Sequence, residues 1–277
     1  MQKRLICWHC YNQELKVSMK LFDNTFESKK HLSSYLTRLN LQVQAPGLEF
    51  LNLLINSHQH TVPFENLSRI CDFHEQPDKF PSCDLYLSRL HLGYGGVCWS
   101  LARSFHWLLK NLGYNVTYLY MDPGHVCLNV VLDQDYYVDI GYGAPVFKAT
   151  PLYESFLVKT NAEIFDYSVS DNTVVVIRTP GPTKTMSLNA VPPEEIERQF
   201  RDRNTWEENK FLNMALIQKF SEQKLVRLKN GVLTDFRNDK PLQNNLNQQE
   251  LQSILEDFFM IDPTVYFRAE KYLGLLK

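Results

Sequence analysis

Three side chains of different chemistry occur in an order that suits covalent catalysis: Cys98, His125 and Asp139. A thiol attacks as its thiolate, and its pKa of about 8.5 falls at a helix N-terminus or beside an imidazolium. Cys98 meets the first condition through local sequence. It follows the glycines of "GYGGVCWSLARSF" and opens an apolar helical pattern, so unpaired backbone N–H groups and the helix dipole face the sulfur. The second condition needs a histidine that a third group orients. Of the eight histidines, His125 opens a strand after the tight "DPG" turn at Asp122, Pro123 and Gly124. Asp139 sits in the next strand, "YYVDIGYG", where an unpaired charge would be costly. His9, His31, His58, His74, His91 and His106 lie in helical or loop contexts with no catalytic signal, and His60, just before "VPFENL", is ambiguous. A turn at Asp133 to Asp135 puts Asp139 nearly opposite Leu128 or Asn129, so it reaches His125 either diagonally or through a bulge.

The elements that must hold these groups read in sequence. Leu32, Tyr35, Leu36 and Leu39, then Leu48, Phe50, Leu51, Leu54 and Ile55, recur at helical spacing between Ser28 and about Ser57. Pro63 breaks that pattern, and the stretch from Asp72 to Ser82 reads as irregular. Leu101, Ala102, Phe105, Leu108, Leu109 and Leu112 trace one face of the helix after Cys98, with Gly113 as its stop. The period then changes to two: "NVTYLYM", "HVCLNVVL", "YYVDIGYG" and "NTVVVIRT" read as strands. "VPPEEIERQF" restarts a helix, "QKLVRLKNGVLTDF" turns at Asn230 and Gly231, and "NQQELQSILEDFF" reads as the final helix. The order is helices, an antiparallel β region, then a small α+β tail.

Composition narrows the classes. The 277 residues are 44% hydrophobic and 22% charged, with a formal net charge of -2. Such a balance argues against nucleic acid as a partner, because phosphate binding needs a concentrated basic surface. No apolar run is long enough to span a bilayer, and the basic start "MQKRLICWHCYNQ" lacks the apolar stretch of a signal peptide. The expectation is a cytoplasmic protein whose six cysteines stay reduced. Cys7 and Cys10 form a CxxC with no second ligand pair downstream, so it reads as incidental and no metal site is expected.

The motifs together resemble the arylamine N-acetyltransferase family. "GYGGVCWS" is similar to that family's RGGxCxE-type nucleophile turn, "HVCLNV" to its HxxLxV strand, "YYVDIGYG" to its YxVDVGFG strand, and "VPFENL" to its PFENL signature. "NKFLNMALIQKFSEQKLVRLKNGVLTDF" looks like its third-domain hairpin, and the resemblance runs from about Phe26 to Ile261. It implies an α+β fold with a papain-like cysteine-nucleophile core: a helical bundle over residues 1–113, an antiparallel β-barrel over 114–198 and a small α/β lid over 199–277. It implies Cys98 as nucleophile, His125 as proton partner and Asp139 as the orienting acid, with backbone N–H groups near Cys98 stabilising the oxyanion. It puts Phe64, Gly124 and Tyr142 at the substrate pocket. Acetyl-CoA is the implied acyl donor, and an arylamine, arylhydrazine or related amine the acceptor. The alternatives are an amide synthase of the same family, a thiol hydrolase of papain-like geometry, and a catalytically silent binding protein.

The sequence departs from the family pattern at three places. Tyr94 stands where the family has Arg, and Ser100 where it has Glu, which leaves Glu65 without its usual cation. The "DPG" turn before His125 is much shorter than the family's loop, so weak discrimination between acetyl-CoA and a truncated thioester is expected, unless the segment from Leu225 to Asp235 supplies replacement contacts.

Overall fold

The structure, a computed structural model, describes residues 26–77, 81–203, 210–237 and 240–274; the CxxC at Cys7 and Cys10 lies outside them. The helical pattern over 28–57 resolves into α1 (Phe26–Arg38) and α2 (Leu48–Thr61), separated where Pro46 and Gly47 interrupt it. Tyr35, Leu36, Leu39, Phe50, Leu51, Leu54 and Ile55 are all buried. After Pro63 the chain pairs briefly as β1 (Phe64–Glu65). The stretch read as irregular begins too early: α3 (Leu67–Glu75) runs into it as far as Glu75, α4 (Cys83–Leu90) follows it, and the periodicity reveals neither helix. Each is only about two turns long, too short for a repeat to register. α5 (Cys98–Asn111) buries the face read from sequence, from Leu101 to Leu109, and ends just before Gly113.

Eight strands follow: β2 (Asn115–Asp122), β3 (His125–Val131), β4 (Asp135–Val138), β5 (Thr150–Pro151), β6 (Phe156–Lys159), β7 (Ile164–Ser170), β8 (Thr173–Thr179) and β9 (Thr183–Ser187). They pair antiparallel in the order β5-β4-β3-β2-β9-β8-β7-β6, curled as a half-barrel. β6 and β9 escaped the sequence reading because they are only four and five residues long, and β7 because three of its seven residues are Asp166, Ser168 and Ser170. Alternation sorts the side chains. Tyr118, Val126, Leu128 and Val130 join α2 and α5 in one core, whereas Leu119, Met121, Cys127 and Tyr137 pack with Phe165, Tyr167, Val174 and Val176 in another. One expectation is corrected here: "YYVDIGYG" pairs only as far as Val138, so Asp139 lies just past the strand end.

Helix α6 (Pro193–Arg203) leads to a second sheet of β10 (Leu216–Ser221), β11 (Lys224–Lys229), β12 (Val232–Asp235) and β13 (Leu242–Asn245), in the order β1-β10-β11-β12-β13. β1 therefore carries the "VPFENL" segment into this later sheet, with Glu65 opposite Ile217. Asn66 fastens the join: its side chain donates to the Met214 carbonyl (2.7 Å) and accepts from the Leu216 N–H (2.9 Å). α7 (Gln248–Ser253) opens on a capping box between Asn247 and Glu250 and continues as a π-helical segment to Phe259. A further helix, α8 (Pro263–Tyr272), lies beyond the one read as final. It completes a third core with Leu67, Ile70, Ile217, Val226 and Leu255. The class is α+β, as the sequence indicates.

Candidate active site

Cys98 is the first residue of α5. No side chain caps this helix, and its first backbone bond is Leu101 N–H to the Val97 carbonyl, so the N–H groups of the first turn have no helical acceptor. The preceding glycines are held against "VPFENL": Glu65 N–H donates to the Gly96 carbonyl at 3.1 Å, and any side chain at Gly95 would collide with the Pro63 carbonyl. Cys98 is half-buried. Burial pushes the other described thiols up, Cys71 to about 12, Cys83 to about 11 and Cys127 well above its ordinary value.

The β2–β3 hairpin sets Met121 opposite His125, and β3–β4 sets Leu128 opposite Val138. Continuing that register puts Asp139 beside Cys127, two residues from His125, and the pair meets on the diagonal rather than through a bulge. His125 Nε2 and Asp139 Oδ2 are 2.7 Å apart. The same oxygen accepts from Tyr137 Oη at 2.7 Å, while Oδ1 accepts from the Gly141 and Tyr142 N–H groups at 3.0 Å each. These bonds replace the sheet ladder and turn the chain away after Val138. Four donors thus satisfy a carboxylate that is only 3% exposed, where an unpaired charge would be prohibitive.

Burial alone would lower the His125 imidazole. The charge and hydrogen bond of Asp139, with the hydrogen bond and charge of Cys98, outweigh it and hold His125 at about 9. With Nε2 committed to Asp139, Nδ1 is the nitrogen left for the thiol. The turn after Asp139 presses on the helix start: a Cβ at Gly141 would lie 2.9 Å from the Cys98 carbonyl oxygen and 3.0 Å from its Cα.

Cys98 and His125 face a cleft of about 800 Å³ between the two sheets, also lined by Phe64, Gly124 and Tyr142. Phe64 meets Phe211 edge-on at 5.6 Å. The Gly124 carbonyl accepts from Trp99 Nε1 at 3.3 Å. The Tyr142 ring stacks on His125 at 4.3 Å. Among the described residues the Lys and Arg side chains lining this cleft are Arg178, Lys184, Arg227 and Lys229, and no Asp or Glu joins them. The last two come from β11, within the segment flagged in sequence for replacement contacts.

The departures at Tyr94 and Ser100 find physical compensation. Glu65 is fully buried; burial raises it, while Ser68 hydrogen bonds and the charge of Arg89 lower it. Both its oxygens are engaged by Ser68, from N–H at 2.9 Å and from Oγ at 2.6 Å. Arg89, a cation from α4, pairs bidentately with Asp72 (2.7 and 2.6 Å) and sits 5.9 Å from the Tyr94 ring centre. Ser100 Oγ returns to the Val97 carbonyl at 2.9 Å, beneath Gly96. Two groups of this neighbourhood escaped the sequence reading. Tyr137 was findable, since it shares a strand face with Asp139 two residues on; Gln59, whose Nε2 reaches the Asp139 carbonyl at 3.4 Å, left no sequence signal because the contact crosses 80 residues.

A family model described as N-acetyltransferase matches residues 47–265. Over 127 residues the chain is 34% identical to the arylamine N-acetyltransferase pineal gland isozyme NAT-3 of Gallus gallus, covering 40% of this chain and 43% of that protein. Over 149 residues it is 33% identical to a proansamycin X synthase of Amycolatopsis mediterranei, covering 47% and 54%. The aligned region therefore spans about half the length of these curated relatives. Among solved structures, the arylamine N-acetyltransferase of Mycobacterium marinum superposes with a TM-score of 0.73 at 20% identity, over 87% of this chain and 98% of that one; its complex with CoA superposes at 0.72. At that identity the likeness carries the fold, a papain-like α+β arrangement, and the family match extends over most of the chain. On these grounds the chain belongs to the arylamine N-acetyltransferase family.

Proposed function

We propose that the protein transfers an acetyl group from acetyl-CoA, through a thioester on Cys98, to an arylamine, arylhydrazine or related amine. The observation that carries this reading is the His125–Asp139 hydrogen bond, with Cys98 acting on the same imidazole, at a cationic cleft. His125 holds the thiol proton as Cys98 Sγ attacks the acetyl carbonyl, the first-turn N–H groups of α5 stabilise the oxyanion, and the bond to the CoA sulfur breaks as His125 passes that proton on and CoA leaves as its thiol. The amine then attacks the Cys98 thioester; His125 takes its proton and the Cys98 thiolate departs. Asp139 holds the imidazole in one orientation and stabilises its charged form. Phe64, Gly124 and Tyr142 form the acceptor side of the pocket, and the cations of β11 suit an anionic donor such as CoA, the ligand in the M. marinum complex.

This reading divides the chain into a helical part (1–113) carrying the nucleophile, a β part (114–198) carrying His125 and Asp139, and an α/β part (199–277) closing over the cleft. It places the protein in the cytoplasm, where thiols persist reduced. A covalent acetyl-enzyme requires ping-pong kinetics, with parallel double-reciprocal lines as amine concentration varies; intersecting lines would require both substrates bound together and defeat the mechanism. The likeness to a proansamycin X synthase favours a second reading, an amide synthase that uses the same thiol. Failure of free acetyl-CoA to acylate Cys98 in a folded, alkylation-competent protein would select it.

A further inference from the structure

Arg178 lies on β8, a strand that carries none of the three groups above. Its guanidinium is nevertheless tied to them through one residue. Nη1 donates to the Tyr142 carbonyl at 2.7 Å, and Nη2 to the Gly143 carbonyl at 3.3 Å. Nε donates to Glu163 Oε2 at 2.8 Å, and Nη2 also reaches that oxygen. The guanidinium carbon sits 4.5 Å from the centre of the Tyr142 ring. That ring stacks on His125 at 4.3 Å and 24° between planes, and the Tyr142 N–H holds Asp139 Oδ1.

The pair is buried, with side-chain exposures of 11% for Arg178 and 5% for Glu163. Buried ion pairs add little stability relative to apolar residues of the same volume, so stability alone is a weak reason for this one. Its geometry is specific instead. A planar guanidinium serves two carbonyls, a carboxylate and an aromatic face at once, which a lysine ammonium cannot reproduce. All three of its nitrogens donate to protein acceptors, whereas neither Arg227 nor Lys229 on the same cleft is tied to a carboxylate by a hydrogen bond among the described residues.

We propose that Arg178, braced by Glu163, is a positioning residue for His125: it fixes Tyr142 so that the ring sets the imidazole plane and the N–H sets the Asp139 carboxylate. The inference rests on the reading of Cys98, His125 and Asp139 as the reacting group. Displacement of a catalytic group by even a fraction of its working distance slows chemistry far more than binding.

The test uses Arg178→Lys and Glu163→Gln in the full chain. Each is assayed for kcat and KM with acetyl-CoA, for the rate of Cys98 alkylation by iodoacetamide, and for melting temperature. Arg178→Lys, which keeps the charge and loses the fork, is expected to lower kcat and the alkylation rate by roughly tenfold to a hundredfold. KM for acetyl-CoA should move by no more than about twofold, and Glu163→Gln should shift both rates in the same direction. Wild-type kcat in Arg178→Lys, with a raised KM in Arg178→Met, would make Arg178 a donor contact and overturn the proposal. A lowered melting temperature with unchanged rates per folded molecule would overturn it as well. Should Arg178→Lys not fold, Tyr142→Leu carries the test, since it removes only the stacked ring; unchanged alkylation there defeats the proposal. An unacetylated Cys98 in the wild type would defeat the underlying reading itself, an outcome distinct from a wild type that works and variants that match it.

Discussion

Asp139 concentrates the chemistry at the scale of single residues. Its four donors satisfy both its oxygens in a site that is almost dry, and its charge is the largest influence raising His125. Asp139→Asn can keep the two backbone bonds from Gly141 and Tyr142 on its remaining oxygen, so the fold is expected to persist while the imidazole loses its stabilising charge. Burial then dominates and the His125 pKa falls from about 9. Turnover should drop by roughly a hundredfold to ten-thousandfold, with the ring titration followed by NMR and kcat by steady-state assay. A variant that keeps both the wild-type titration and the wild-type kcat would remove Asp139 from the account. The types and order of Cys98, His125 and Asp139 were legible because each breaks a local rule: a thiol at a glycine-led helix start, a histidine opening a strand, an acid in apolar company. Arg89 beside Tyr94 and Glu65 was not legible, because a cation brought from another helix leaves no trace in the local motif.

Among the elements, the β11 strand alters an expectation drawn from the short "DPG" turn. That turn has no length to wrap a nucleotide, and weak donor discrimination followed from it alone. β11, however, brings Arg227 and Lys229 into the cleft. A charge-assisted contact to phosphate contributes about 1.5–3 kcal/mol, equivalent to roughly a tenfold to hundredfold preference. Acetyl-CoA should therefore be preferred over S-acetyl-N-acetylcysteamine by more than about tenfold in kcat/KM, and the double variant Arg227→Gln, Lys229→Gln should remove most of that margin while leaving the truncated donor unaffected. Equal loss for both donors would show that these cations serve the fold and not the nucleotide. Long periodic elements such as α2, α5, β2 and β3 were readable because their apolar faces repeat several times. α3 and α4 were not, since two turns supply too few repeats, and the "YYVDIGYG" strand was read too long because side-chain bonds at Asp139, invisible to alternation, end it early.

For the molecule as a whole, three cores share the load, and one of them encloses a histidine with no chemical task. His58 is fully buried between Tyr35 and Phe105, and neither ring nitrogen has a hydrogen-bond partner among the described residues. Burial first, and then the charge of Arg38, push its pKa down to about 3. A histidine depressed in the folded state stays neutral there while the unfolded chain takes up a proton. Its contribution to stability is thus present above about 6.5 and is lost as pH falls from there towards about 3, at about 1.4 kcal/mol per pH unit. Unfolding free energy measured by denaturant should fall steeply below pH 6, and His58→Phe should flatten that slope; an unchanged slope would show that His58 does not couple folding to protons. The α+β class was legible from the change of period at Asn115, whereas the return of β1 into the last sheet was not, because a pairing of residues 64–65 with residues 217–218 crosses too much chain for local pattern to announce. No helix among the described residues is long and apolar enough to cross a membrane. The central claim is that Cys98 carries the acetyl group between donor and amine. Brief incubation with acetyl-CoA in the absence of amine, followed by peptide mapping in a mass spectrometer, should find one acetyl group on Cys98, discharged when an arylamine is added. Acetylation of Cys127 in its place, or turnover with no acetyl-enzyme at all, would contradict the account.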